Sequence, residues 1–224
     1  MKIKTYLQQL VTSLNDNKTY LLPYLIVWVM GLLVVLLYDK IDIHQFTNQR
    51  PFAVGDALFP YITKLGETFP FIASGALLLY KVRKALFVLS VQVVGAIVVY
   101  TLKNLFRAPR PRIVFQELGL DLHTIDGVRL HAWNSFPSGH TMTAFAFFLS
   151  LALIVKNQLL KFFFFAMSLL VGFSRIYLNQ HFLEDTLAGS LLAVVIALTM
   201  YPFFNTQQTW GNKGLMSLAN KSTK

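Results

Sequence analysis

Six apolar runs, most of them near the ~20 residues that cross a bilayer, constrain this 224-residue chain more than any other feature. They are Leu21–Tyr38, Thr68–Tyr80, Ala85–Leu102, a run from Pro137 to Val155, Phe162–Leu178 and Thr186–Phe204. Only 13% of the residues are charged, against about a quarter in a soluble domain. The missing charge points to lipid as solvent. The expected fold is therefore all-α, a six-transmembrane helical bundle over residues 21–204. It is expected to be preceded by a cytoplasmic N-terminal segment, 1–20, and followed by a cytoplasmic polar tail, 205–224.

Leu21–Tyr38 carries no charge and runs into Asp39-Lys40-Ile41-Asp42 with no small-residue cleavage site, so it reads as an uncleaved anchor. Thr68–Tyr80 is short and needs help from its flanks. The mixed stretch Phe52–Lys64 before it reads as an amphipathic piece at the interface. Ala85–Leu102 is interrupted only by Gln92. Lys103–Phe136 is the one long connection, and its length marks it as functional.

Charge orients these runs. With the N-terminus in the cytoplasm, the inner segments hold Lys2, Lys4, Lys18, Lys81, Arg83, Lys84, Lys156, Lys161, Lys213, Lys221 and Lys224, against the single acid Asp16. The outer segments keep nine of the 20 cations and nine of the ten acids. This is the bias expected of cytoplasmic loops, so both termini are predicted inside. The net charge of +10 does not indicate nucleic acid, because the cations punctuate apolar runs and form no stripe. Absence of cysteine excludes disulfides, thiolate metal sites and cysteine nucleophiles.

Three polar clusters lie at ends of apolar runs, and the predicted topology puts all three on the outer side. The first is Lys103 with Arg107, Arg110, Pro111 and Arg112; the second is Phe136-Pro137-Ser138-Gly139-His140; the third is Ser174-Arg175 with His181 and Asp185. Ionisable groups at such places mark function. Lys103, Arg110 and Arg175 are fixed cations, and the guanidinium fork suits phosphate oxygens. Ser138-Gly139 opens a helix, whose free N–H groups favour an anion. His181 and Asp185, four apart, share a helix face, so the carboxylate can hold the imidazole tautomer and support its developing charge. Glu184 falls on another face. His140 is left to protonate a leaving oxygen.

These spacings resemble the type 2 phosphatidic acid phosphatase superfamily. Lys103 to Arg110-Pro111 matches its first motif, Pro137-Ser138-Gly139-His140 its second, and Ser174-Arg175, His181 and Asp185 its third, with no departure. The motifs span 103–185, and the six-segment layout extends the likeness over about residues 20–204. The resemblance implies that His181 attacks phosphorus and forms a phosphohistidine, supported by Asp185. His140 would then act as general acid, while Lys103, Arg110, Ser138, Gly139 and Arg175 hold the phosphoryl oxygens. It also implies no metal and no cofactor. The substrate would be a lipid phosphate or pyrophosphate in the bilayer, with undecaprenyl pyrophosphate, phosphatidic acid and phosphatidylglycerol phosphate as the family's natural choices. A bacterial cytoplasmic membrane, with the site facing outward, is the expected location.

Other readings compete. A lipid A phosphatase or phosphotransferase is related chemistry. The vanadium-dependent haloperoxidases share the three motifs but are soluble. A transporter binding phosphate headgroups would not require His181 with Asp185. Arg107 and Arg112 read as interfacial anchors, His123 and His131 as exposed loop residues or at best headgroup contacts, Ser174 as a cap or packing residue or a direct participant, and Trp133 as part of the aromatic belt or the lining of the site entrance.

Overall fold

The computed structural model describes residues 3–205, 211 and 213–215. Most of the tail expected over 205–224, and Lys2, Lys221 and Lys224 of the charge count, lie outside the described residues. Within them the protein is all-helical and has no strand. The helices are α1 (Ile3–Asp16), α2 (Lys18–Leu37), α3 (Lys40–Asn48), α4 (Ala53–Ile62), α5 (Phe69–Leu77), α6 (Val82–Phe106), α7 (Pro111–Glu117), α8 (Gly139–Ile154), α9 (Gln158–Tyr177) and α10 (Leu183–Phe204). A 3-10 turn, Thr63–Gly66, joins α4 to α5.

Four helices, α2, α6, α9 and α10, are long and apolar enough to cross a membrane. The fourth of the expected segments becomes α8, 16 residues long and apolar throughout. A helix that is hydrophobic all round is stable only when covered on every side, and α8 is buried continuously from Thr141 to Ser150 between α6, α9 and α10. The second expected segment is the one that shrinks. Here α5 has nine residues, about 14 Å of helix. Pro60 withholds a backbone donor inside α4, which ends at Ile62, and Pro70 opens α5, so no continuous span forms. The amphipathic piece expected over Phe52–Lys64 appears as α4 and the 3-10 turn.

The outer layer is tied to the core by polar contacts from apolar helices. On α2 most side chains face outward, with Leu36 and Leu37 highly exposed; its buried Tyr20 shares a 2.7 Å hydrogen bond with Ser168 of α9, and Trp28 Nε1 donates to the Leu187 carbonyl of α10. Gln92, the interruption in α6, is buried and donates to Ser74 Oγ of α5 at 2.7 Å. Helix α1, which lies within the segment expected as a cytoplasmic N-terminal stretch, lies on α10 through Tyr6 and Gln9.

Two glycines set how closely the neighbours approach the start of α8. A Cβ on Gly189 of α10 would meet the Ser138 carbonyl oxygen at 2.5 Å, and one on Gly66 would meet the His140 carbonyl oxygen at 2.5 Å. Any side chain at either position would push its element away from the second motif.

Candidate active site

All eight residues singled out by the three motifs lie at one end of the core. α6 brings Lys103 in its last turn, α7 starts just after Arg110, α8 opens at Ser138-Gly139-His140, α9 carries Arg175 in its last turn and α10 carries Asp185 in its first. The long connection 107–138 closes over them. A single antiparallel bridge joins Pro109 to Trp133, Arg110 N–H donates to the Ala132 carbonyl and Ser135 N–H to the Ala108 carbonyl. These bonds return the second motif to the first.

The centre is a buried carboxylate held by several donors. Asp185 Oδ2 accepts from Ser135 Oγ at 2.5 Å and from the Phe182 N–H at 2.9 Å, and lies 3.3 Å from His181 Nδ1. His181 and Asp185 are each 1% exposed. The expected helical turn carrying both residues is not what the chain forms: α10 begins at Leu183, and His181 sits in the link before it. The Asp185 carboxylate folds back onto the amide of Phe182, the residue preceding the helix, and that capping contact fixes the start of α10. The pair still meets, with the carboxylate on Nδ1, so a proton there leaves the Nε2 lone pair free.

Burial pushes His181 well below the usual imidazole range, and the charges of Arg110, Arg175 and Lys103 push it further the same way. The imidazole is therefore neutral near pH 7.

The cations are anchored by backbone carbonyls and neutral side chains. Arg110 donates from Nε to the Trp133 carbonyl at 2.9 Å and from Nη1 to the carbonyl and Oε1 of Gln180 at 3.1 and 3.2 Å. Gln180 is itself held by the Arg129 carbonyl. Lys103 Nζ donates to the Asn134 carbonyl. Arg175 is 5% exposed and donates from Nη1 to Thr63 Oγ1 at 2.6 Å, while its buried Nε has no partner among the described residues. Neutral partners hold these charges in place without an ion pair among the described residues, which suits an anion. Ser138 caps α8, its Oγ accepting from the Thr141 N–H at 3.4 Å and from Thr141 Oγ1 at 2.9 Å.

A cavity of about 460 Å³ reaches this cluster, walled by Tyr61, Lys64, Arg129, His131, His140 and Arg175 among others. It meets the site from the His140–Arg175 side. Among the described residues no group of three His, Cys, Asp or Glu side chains is arranged to hold a metal ion.

Several roles were not legible in the motifs. Ser135 is buried and supplies the shortest bond to Asp185; its only sequence signal is its place two residues before Pro137. His44 of α3 is 1% exposed, bonds through Nε2 to Asn179 Oδ1 at 2.7 Å and packs edge-on to Phe115 and Phe182. His123, expected as a free loop residue, instead lies 2.9 Å from Asp56 Oδ1, which also accepts from Tyr177 OH. His131 lines the cavity. Arg107 and Arg112 are exposed, as their reading as anchors required, and bond to the Asn104 and Leu130 carbonyls. Ser174 is buried and donates to the Val171 carbonyl within its own helix.

Residues 84–209 match the PAP2 superfamily. The chain belongs to that superfamily. The PAP2 region contains all eight motif residues and the four core helices from Lys84 onward. Undecaprenyl-diphosphatase BcrC of Bacillus subtilis is 30% identical over 112 residues, which are 50% of this chain and 53% of that protein; the chain thus spans about half the length of this curated relative. Two solved structures share the PAP2 fold. LpxE of Aquifex aeolicus superposes with a TM-score of 0.62 at 24% identity, over 72% of this chain and 93% of that one. The PAP2-type phosphatidylglycerolphosphate phosphatase of Bacillus subtilis gives 0.60 at 22%, over 86% and 99%.

Proposed function

We propose that this protein is an integral membrane lipid phosphatase that hydrolyses a lipid phosphate or pyrophosphate through a phosphohistidine on His181. The observation that carries this reading is the buried, neutral His181 held by Asp185 beneath three cations with no carboxylate partner of their own. His181 Nε2 donates its lone pair to phosphorus as the bond to the leaving oxygen breaks, and His140 gives that oxygen a proton. Water then attacks the phosphohistidine, surrendering a proton to His140, and phosphate leaves. Asp185 supports the imidazolium form while Lys103, Arg110, Arg175 and the N-terminus of α8 spread the transition-state charge. These preorganised cations take the part a metal ion would otherwise play.

The six apolar segments and the charge asymmetry support six crossings, both termini in the cytoplasm and a site on the outer face of a bacterial cytoplasmic membrane. In that arrangement α5 crosses only with its flanks. BcrC, by its name a diphosphatase, favours undecaprenyl pyrophosphate, and phosphatidylglycerol phosphate is the runner-up. Phosphate release from a panel of undecaprenyl pyrophosphate, phosphatidic acid and phosphatidylglycerol phosphate, run beside His181→Ala, tests the reading. Release from at least one lipid by the wild-type chain alone supports it. No release from any, or equal release by the variant, contradicts it.

A further inference from the structure

Each core helix carries a candidate-site residue at one end and part of a second cavity at the other. The paired residues are Lys103 and Lys84 on α6, His140 and Ile154 on α8, Arg175 and Lys161 on α9, and Asp185 and Phe204 on α10. At ~1.5 Å per residue the two ends of α8 are about 20 Å apart. The second cavity holds about 480 Å³. It lies where the α1–α2 junction meets the turn between α8 and α9.

Its walls carry four cations, Arg83, Lys84, Lys156 and Lys161, against the one carboxylate of Asp16. Lys161 is only 3% exposed. Its Nζ donates to the Asp16 backbone carbonyl at 2.6 Å, and neither Lys161 nor Lys84 makes an ion pair among the described residues. Lys84 Nζ likewise donates to a backbone carbonyl, that of Ile154, at 3.3 Å. Asn17, on the same wall, is 2% exposed; its Nδ2 donates to the Ser13 carbonyl at 2.7 Å, while its buried Oδ1 has no partner among the described residues.

Anchors that merely obey the cytoplasmic charge bias extend to water, whereas Lys161 is withdrawn from it. Asp16 is the one acid whose charge acts on Lys161, and it makes no ion pair with it; a sheltered ammonium so weakly compensated favours a further anion. Phe87, Leu153 and Phe204 supply an apolar wall beside these charges, as a headgroup site between helix ends requires.

We propose that this cavity is a second phosphate-binding site, at the opposite end of the core from His181, taking the phosphate of an anionic phospholipid headgroup or free inorganic phosphate between Lys84 and Lys161. The unpartnered Asn17 Oδ1 offers an acceptor for a hydroxyl on such a ligand. The site does not depend on the hydrolytic reading, because none of its residues belongs to the three motifs.

The test is thermal unfolding of the full chain in detergent with added phosphatidylglycerol, phosphatidylcholine or inorganic phosphate. Wild type is compared with Lys84→Met/Lys161→Met and with Arg175→Met, which weakens anion binding at the other end. A ligand at a hundredfold excess over its Kd should raise Tm by roughly 5 °C or more. Phosphatidylglycerol should raise it above the phosphatidylcholine value in wild type and Arg175→Met, and this gain should vanish in the double variant. An equal, Lys84/Lys161-dependent gain from inorganic phosphate identifies the free ion as the ligand. A gain that persists in the double variant, or no gain from either anion in wild type, overturns the proposal. Should the double variant not fold, native mass spectrometry of wild type decides: preferential retention of phosphatidylglycerol, reduced by Lys84→Ala, supports the site, and equal retention of both lipids or no effect of Lys84→Ala refutes it.

Discussion

The two ends of the core both gather cations, yet only one also holds a histidine against a carboxylate. At the His181 end, Lys103, Arg110 and Arg175 surround a histidine whose Nδ1 faces a carboxylate fixed by Ser135 and the Phe182 amide. At the Lys161 end there is no histidine, and the one acid, Asp16, sits on an exposed residue. Positive charge in a sheltered place suffices to hold phosphate; breaking a phosphorus–oxygen bond needs a nucleophile whose second nitrogen is governed. On the proposed reading, the difference between binding and reaction in this protein is a few side chains around one imidazole.

Removing the nucleophile should break the contrast most completely. His181→Ala should lower phosphate release by at least about 10⁴-fold, measured with saturating lipid substrate. Asp185→Asn keeps shape but loses the charge that supports the imidazolium. A fall of roughly 10²–10⁴ in kcat with a folded chain is expected, and wild-type turnover would mean that the carboxylate does not govern Nδ1.

Ser135→Ala probes a residue that positions Asp185 without touching substrate. The loss of one buried hydrogen bond predicts about a tenfold drop in kcat with KM little changed. Restoration by Ser135→Thr would separate positioning from a general packing defect, and a change confined to KM would contradict the assigned role.

His44 contributes a pH dependence of stability. Burial lowers it from 6.5 to about 4, against the raising effect of its bond to Asn179 and of the Asp185 charge. The folded state therefore favours the neutral ring, so its contribution is complete above pH 6.5 and is lost as pH falls from there towards about 4. The loss is on the order of 3 kcal/mol at the acid limit. His44→Gln should flatten that part of the curve of Tm against pH, and an unchanged slope would show that another group titrates.

Treatment with EDTA is predicted to have the smallest effect, leaving phosphate release within about twofold, since Lys103, Arg110 and Arg175 supply the charge that a metal would. Loss of activity restored by magnesium would contradict this.

The sequence and the structure agree where spacing alone fixes geometry. Ser138-Gly139 opens a helix because a serine that accepts its own helix's N–H groups can do little else there. The four-residue spacing of His181 and Asp185 brings them together, although through the cap of α10 and not along a helix face. What escaped the sequence depends on long-range return of the chain. Ser135 reaches Asp185 only because the connection 107–138 folds back along Pro109–Trp133. His44 lies 135 positions from its partner Asn179, and no local pattern links them. The shrinking of the second segment was half visible, in its shortness; Pro60 and Pro70 explain it once their helices are known.

The most direct measurement is alkaline rapid quench of the wild-type chain during turnover of a ³²P-labelled lipid phosphate, followed by mass-spectrometric location of the label. It is run beside His181→Ala assayed for phosphate release. Label on His181, with no release by the variant, is the predicted result. Label on another residue, or full release by His181→Ala, would contradict the assignment of His181 as nucleophile.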